Sequence, residues 1–533
     1  MELKYKAIAC FLIGIFSLSG CTSTFDDLNT NPDTTTKVNA SMLASKVILD
    51  MTKSASNWRN EFLVKRMFWG EQIDDGQYNR FGKGSFDNIQ TLTNAWKMVE
   101  LSSEDDLDAH TGLYYFLKGW YFYRTTMDMG DIPYSEALNI EEHRYPQYDE
   151  QKDVFKGILE DLALADEYFA KSKQAFSGDP FYQGDPKKWR KATNVLRLKV
   201  LMSLSKRADD TQELQIKETF SKVVSENNLF KSNEDNLQVI YSDKDGQKNP
   251  YHVTGTRSID YYAGTHTLID PLKRFKDYRL FYYLAPAEGL TNELYLPAGE
   301  KLLKPNDWNA YPAVDAAGVY DIEKEKIAKR MHSRPNDVYR LSYVGVPCIR
   351  LGYADMNFLL AEAVERGWIT GSAKQYYEEG IRASFLFVRT TVPAEYNNGV
   401  EITDDYITSY LKGEYVAYNT NGSVTDRLKQ IWMQAFLARY FHMATDDYYE
   451  YRRNGYPEFP INPETNLNIE ESTEYKNIHY IRCLIFNLYI YHEQKTFFYL
   501  NDYSSQYFLY ICPDLPCPAS TIRQAFFFHD PAA

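Results

Sequence analysis

The side chains best suited to chemistry in this 533-residue chain are its aromatics, 44 Tyr, 30 Phe and 8 Trp. Tyr and Trp offer a flat apolar face beside a polar edge. Such a face packs against the C–H side of a pyranose, while nearby amides and carboxylates take the sugar hydroxyls. Three stretches carry this combination. Trp69, Gln72, Asp74, Tyr78, Asn79 and Phe81 form one, with Trp96 nearby; Tyr261, Tyr262 and His266 form another; Trp308, Asn309 and Tyr311 form a third. Trp69, Tyr78, Trp96, Tyr261, Tyr262 and Trp308 are therefore the expected pool for a ligand-binding platform. The competing role for each is core packing, and Trp120, Trp189, Trp368 and Trp432, within or beside helical segments, are assigned to the core.

Other constellations are weaker. Glu104-Asp105-Asp106 with Asp108 lacks the Gly and terminal Glu of a calcium loop, and Asp243-x-Asp245-Gly246 is equally incomplete, so both read as solvated acidic loops. Arg452-Arg453 suits buried pairing with local carboxylates better than anion binding, because the guanidinium fork matches planar acids. Gly130-Asp131-Ile132-Pro133-Tyr134 reads as a structural turn. The chain contains no H-E-x-x-H, G-x-S-x-G or G-x-x-x-x-G-K-[ST] motif, so no catalytic residue, metal or cofactor is assigned. Six cysteines at 10, 21, 348, 483, 512 and 517 form no C-x-x-C pair and are too unevenly placed for a disulfide framework.

These residues need a scaffold, and composition bounds what it can be. A chain that is 44% hydrophobic and 25% charged folds around a large core, and its formal charge of -14 has the wrong sign for a nucleic-acid partner. The length fits three ordinary domains or one large helical array. In Asp153 to Ala170, the residues Val154, Ile158, Leu159, Leu162, Ala165 and Phe169 fall on one helical stripe. Met356, Leu359, Leu360, Ala363 and Val364 form a second stripe that stops at Gly367, and Ser372 can cap the helix that follows. Leu113 to Thr126 followed by Asp153 to Ala170 is a second such pair. The expected fold class is mainly α, with tetratricopeptide-like helix pairs of irregular period and a loop-rich ligand-binding part. The long loops Asp243 to Tyr262 and Ala285 to Asp321 are candidates for that part.

Met1 to Gly20 joins a basic start to an apolar run and reads as a signal peptide. Leu18-Ser19-Gly20-Cys21 resembles the lipobox of bacterial lipoproteins, which places a lipid on Cys21. Losing Glu2, Lys4 and Lys6 moves the formal charge from -14 to -15, so the anchor must be the lipid and not basic charge. Residues 21–40 form a polar tether.

Several segments together resemble the SusD/RagB family of outer-membrane lipoproteins. They are Gly119-Trp120-Tyr121-Phe122-Tyr123-Arg124 leading to Gly130-Asp131-Ile132-Pro133-Tyr134, then Gly178-Asp179 and Gly184-Asp185 through Lys188-Trp189 and Asn194-Val195-Leu196-Arg197-Leu198. Ile349-Arg350-Leu351-Gly352-Tyr353-Ala354-Asp355, Gln430-Ile431-Trp432 and Arg452-Arg453-Asn454-Gly455-Tyr456-Pro457 follow in the family's order. The resemblance implies a non-enzymatic lipoprotein at the cell surface. It would bind a nutrient, an oligosaccharide as in most such relatives or a peptide as in some, and deliver it to a TonB-dependent transporter. A lipid-anchored glycoside hydrolase and a helical-repeat scaffold that binds only protein remain the alternatives. The resemblance covers residues 41–468 as the helical domain, whereas 469–533, with Cys483, Cys512, Cys517 and runs such as Phe526-Phe527-Phe528, departs from the family pattern.

If Cys21 carries the lipid, Cys21→Ala should lose all label when cells are fed a radioactive fatty acid. Equal labelling of mutant and wild type would exclude the anchor.

Overall fold

The computed structural model describes residues 38–461 except 54–59, 74, 79–83, 255–258 and 260. The signal peptide, Cys21, nearly all of the tether, and the tail from 469 lie outside the described residues. Helices of ten or more residues are α1 (Ala40–Lys53), α2 (Thr91–Glu100), α3 (Leu107–Met129), α4 (Gln151–Lys171), α5 (Pro186–Ser203), α6 (Ile216–Ser225), α7 (His266–Phe275), α8 (Tyr353–Glu365), α9 (Ala373–Thr391), α10 (Val424–Ala438) and α11 (Ala444–Asn454). The strands are short and form three antiparallel two-stranded pairs. These are β1 (Met67–Trp69) with β3 (Tyr262–Gly264), β2 (Leu237–Val239) with β6 (Cys348–Leu351), and β4 (Leu284–Ala285) with β5 (Arg334–Pro335). The chain is mainly helical, built on tetratricopeptide-like pairs of which α3/α4 and α8/α9 pack most extensively.

Small residues set how closely each pair approaches. A Cβ on Gly119 would stand 2.6 Å from Leu162 of α4, and one on Gly380 of α9 would stand 2.8 Å from Phe358 of α8. The stripe expected over Asp153 to Ala170 is the buried face of α4, where Val154, Ile158, Leu162, Ala165 and Phe169 are all in the core. Between α8 and α9 the chain turns at Gly367 with φ +70°, and the Ser372 side chain accepts from the Gln375 amide at 3.2 Å to cap α9.

The Gly-Asp repeats before α5 are structural. The Asp179 carboxylate accepts from the amides of Phe181, Tyr182 and Gly184 and from Trp189 Nε1 at 2.8–3.1 Å. Asp185 caps α5 through the Lys187 amide at 2.9 Å. Gly184 has φ +76° and lies so close to the Phe176 backbone that a Cβ would fall 1.8 Å from its carbonyl oxygen. The Gly130 to Tyr134 segment is a turn as well, since Asp149 accepts from the amides of Tyr134 and Ser135 and fixes it against the start of α4. Arg453 is buried on Glu362 and Glu450, the pairing expected from sequence, while Arg452 donates to the Met127 carbonyl.

Two large cores result. One joins α1 to α6 with part of α8, and the other joins Phe62, β1, β3, α7, the Arg279–Tyr283 helix, α9, α10 and α11. Trp120, Trp189 and Trp368 are buried in the first, and Trp432 is half-buried on the second with its indole donating to Glu362.

Of the four histidines buried among the described residues, His442 and His332 are shifted furthest. Burial, reinforced by Arg350, pushes His442 from 6.5 down to about 3, and burial, reinforced by Arg334, pushes His332 from 6.5 to about 4. Their contribution to stability is whole above pH 6.5, the unfolded value. It is lost as pH falls, because the unfolded chain then takes up protons that the folded chain refuses. Between pH 6.5 and 4 each histidine should remove about 1.4 kcal/mol of stability per pH unit. Urea midpoints at pH 7, 5.5 and 4.5 should fall accordingly, and His442→Gln should flatten that slope.

Candidate ligand-binding surface

The sequence-selected aromatics separate into buried and open groups. Trp69 and Tyr262 face each other across the β1/β3 pair and are only 8% and 6% exposed. Both pack on Phe62, at ring-centroid distances of 6.4 and 5.0 Å, and both strands are buried along their whole length. This corrects their assignment to the platform: each ring is spent on the second core and has no face to offer a ligand. Tyr311 is buried too, its hydroxyl donating to the Pro305 carbonyl at 2.8 Å.

Trp96 is 48% exposed, but it projects from α2 in the helical part and not from a loop. Its indole donates to Glu100 at 3.0 Å and its ring meets Tyr114 edge-on at 5.2 Å. Tyr261 is equally exposed, next to the buried strand β3, and its carbonyl accepts from the Gly70 amide. Tyr78 ends the Asp75–Tyr78 turn, and its side chain lies outside the described residues.

Trp308 has different surroundings. It opens a one-turn 3-10 helix, Trp308–Ala310, capped by Asp307, whose carboxylate accepts from the Asn309 amide at 2.9 Å. The half-buried ring rests edge-to-face on Phe281 at 4.7 Å and lies 6.3 Å from Tyr278. Tyr278 in turn stacks on Tyr406 at 3.8 Å with planes 6° apart. The Tyr406 hydroxyl accepts from the Tyr278 amide at 2.8 Å and donates to the Lys276 carbonyl at 2.9 Å. Tyr278, Trp308 and Tyr406 thus form a half-buried aromatic surface packed on the second core, in which Tyr278 and Tyr406 each spend one face on the other. Asn309 and the ammonium of Lys276, 5.4 Å above the Trp308 ring, supply polar groups at its edge.

The mounting of this surface is rigid. Asp277, next to Tyr278, is fully buried and holds Arg279, also fully buried, at 2.6 Å. Arg279 reaches on to Ser384 of α9 and Gln434 of α10, and Tyr410 donates to Asp277 at 2.6 Å. The Arg279 guanidinium is pushed far above its usual range by Asp277 and the surrounding tyrosines in spite of its burial. Tyr278 and Tyr406 carry no signal in the sequence, because they come together from positions 128 residues apart through this buried pair.

A crevice near Phe358, Glu362, Trp432, Arg439 and Tyr456 has room for little more than a water molecule, and its polar walls belong to the buried ion pairs of the fold. Among the described residues no group of three or more His, Cys, Asp or Glu is arranged to hold a metal. None of the described helices is long and apolar enough to cross a membrane.

Comparison with known proteins bears on what the surface does. A SusD-like family model, described as "Starch-binding associating with outer membrane", matches residues 32–476. A SusD homologue from Bacteroides fragilis of known structure is 40% identical, with 81% of this chain and 90% of that one covered and a TM-score of 0.76. A second from the same species is 32% identical, covering 80% and 90%, with a TM-score of 0.70. A chitin-binding SusD homologue from Flavobacterium johnsoniae, 20% identical over 79% and 85% of the two chains, shares the fold at a TM-score of 0.57. No curated protein matches.

Burial of Trp69 makes its role testable apart from any ligand. Trp69→Ala should cost about 3–5 kcal/mol of stability, the usual loss for a large core aromatic, and Trp96→Ala much less. Chemical denaturation of the two variants checks this ordering, and equal stabilities would show that Trp69 is not a core residue.

Proposed function

The chain belongs to the SusD-like family, and from that premise we propose that it is a lipid-anchored cell-surface protein that captures an extended oligosaccharide and passes it to a TonB-dependent outer-membrane transporter. The observation that carries this reading is the half-buried aromatic surface of Tyr278, Trp308 and Tyr406. Flat rings accept the C–H face of successive sugars and let a polymer continue past either end, which a closed pocket does not. The family description names starch binding, which supports a glycan over a peptide. Leu18-Ser19-Gly20-Cys21 supports the anchor and the outer membrane as the place of work.

Capture is favoured over hydrolysis by the state of the nearby carboxylates. A glycosidase needs two carboxyl groups about 5 to 9 Å apart across the scissile bond. Asp277 is buried on Arg279, Asp307 is used as a helix cap, and Asp404 pairs with Arg389. Each of these is committed to structure.

Calorimetry of the protein against a panel of neutral and acidic oligosaccharides and peptides tests the assignment. Trp308→Ala should weaken glycan binding by about tenfold or more, equivalent to about 1.4 kcal/mol, with the circular dichroism spectrum retained. Binding of peptides alone, or wild-type glycan affinity in Trp308→Ala, would overturn it.

A further inference from the structure

The platform borders an unpaired basic segment. Helix α7 ends in Lys273, Arg274 and Phe275, and Lys276 follows in a left-handed conformation with φ +57°. Among the described residues none of the three cations has a carboxylate within the 4.0 Å of an ion pair. Cations at a helix C-terminus are favoured by the helix dipole, which explains their presence in the last turn. It does not explain their placement on aromatic rings. Lys276 stands over Trp308 at 5.4 Å, and the Arg274 guanidinium lies over exposed Tyr415 at 5.0 Å. Lys273, half-buried on the same turn, lies within the field of Asp307, the residue immediately before Trp308, and of Asp270.

Half-burying an ammonium without a partner costs free energy that an exposed lysine would not incur, and burial lowers the pKa of Lys273 accordingly. An anion on the platform would offset that cost. Asp270 and Asp307 reduce the positive field at Lys273, and both keep their charge while Asp307 accepts from the Asn309 amide and Asp270 faces His266 at 3.1 Å. In a chain of net charge -14, Lys276 over the Trp308 ring and Lys273 on the preceding turn are cations set beside the aromatic surface. They would attract an acidic polymer that the rest of the surface repels.

Resting on the reading above, we infer that the oligosaccharide taken by the Tyr278, Trp308 and Tyr406 surface is acidic, with its carboxylate or sulfate groups held by Lys276 and Lys273. The rings read the sugar face and the cations read its charge. A neutral polymer would use only the first of these contacts.

Matched ligands separate the two. Calorimetry would compare an oligogalacturonate with its full methyl ester, and a chondroitin sulfate oligosaccharide with its desulfated form, at low and high salt. Within one of these pairs the more highly charged member should bind about tenfold more tightly, with an advantage that shrinks as salt screens the charges. Lys273→Gln/Lys276→Gln should abolish the advantage, read as the ratio of the two affinities within the pair so that any general loss of binding cancels. The pair that shows the advantage tells carboxylate from sulfate recognition. Equal affinity within both pairs, or an unchanged advantage in the double variant, would overturn the inference. Tight binding of a neutral glycan that depends on Trp308 would remove the acidic preference and leave the capture reading standing. Failure of every glycan, neutral and acidic, would remove both.

Discussion

A buried ionic network holds the two cores of this protein together. Lys199, from α5 in the first core, reaches Asp355 of α8 at 3.0 Å and Asp446 of α11 at 2.6 Å. Arg439, just beyond α10, bridges Asp355 and Asp447. Arg66 then joins Asp447 at 2.9 Å to Glu61 at 2.6 Å and donates to the Phe436 carbonyl. All of these side chains are at most about 5% exposed. A single buried pair often fails to recover its desolvation cost, but here most charges meet more than one partner. Loss of any one leaves opposite charges stranded, which costs about 3–5 kcal/mol for a buried pair. Asp446 shows the strength of the field: although burial opposes ionisation, Lys199 and Arg124 hold its carboxyl far below the usual range.

That network fixes where α8, α10 and α11 lie, and a second buried pair extends the same order to the surface. Arg279 bonds Asp277, Ser384 of α9 and Gln434 of α10 together, so the segment that carries Tyr278 is held by the helices that the first network positions. Tyr406 adopts its stacked place because its hydroxyl is shared between the Tyr278 amide and the Lys276 carbonyl. An aromatic surface mounted in this way loses little side-chain freedom when a ligand arrives, and what it does not lose in ordering remains as binding free energy.

The helical pairs were legible because their causes are local. Periodic apolar residues mark α4 and α8, Gly367 and Ser372 mark the turn between α8 and α9, and Gly184 with Asp185 marks the entry to α5. The ligand surface was only partly legible because its causes are not local. Trp308 stands out in sequence as a loop aromatic, and it lies beside Tyr278 on the second core. Trp69 and Tyr262 looked equivalent in sequence, yet a strand pair buried on both faces leaves no alternation of polar and apolar residues to announce it. Trp96 looked like part of the same loop set and lies on a helix that folding places in the other core. Tyr278 and Tyr406 were passed over because the contact that makes them a surface spans 128 residues.

The shape of the surface also bears on how a captured glycan would leave. On the proposed reading, three half-buried rings with Lys276 over one of them would make only a few strong contacts with a glycan. Such contacts give dissociation constants of about 1 mM to 1 μM, some −4 to −8 kcal/mol, not the nanomolar values of enclosed sites. Because affinities among related sites differ mainly in dissociation rate, weak binding means rapid release. On the proposed reading this is a requirement and not a defect, since a protein that passes its ligand onward must hold it long enough to present it and briefly enough to give it up. A rigidly mounted aromatic surface would meet both needs, because its ordering costs are already met by the buried pair beneath it.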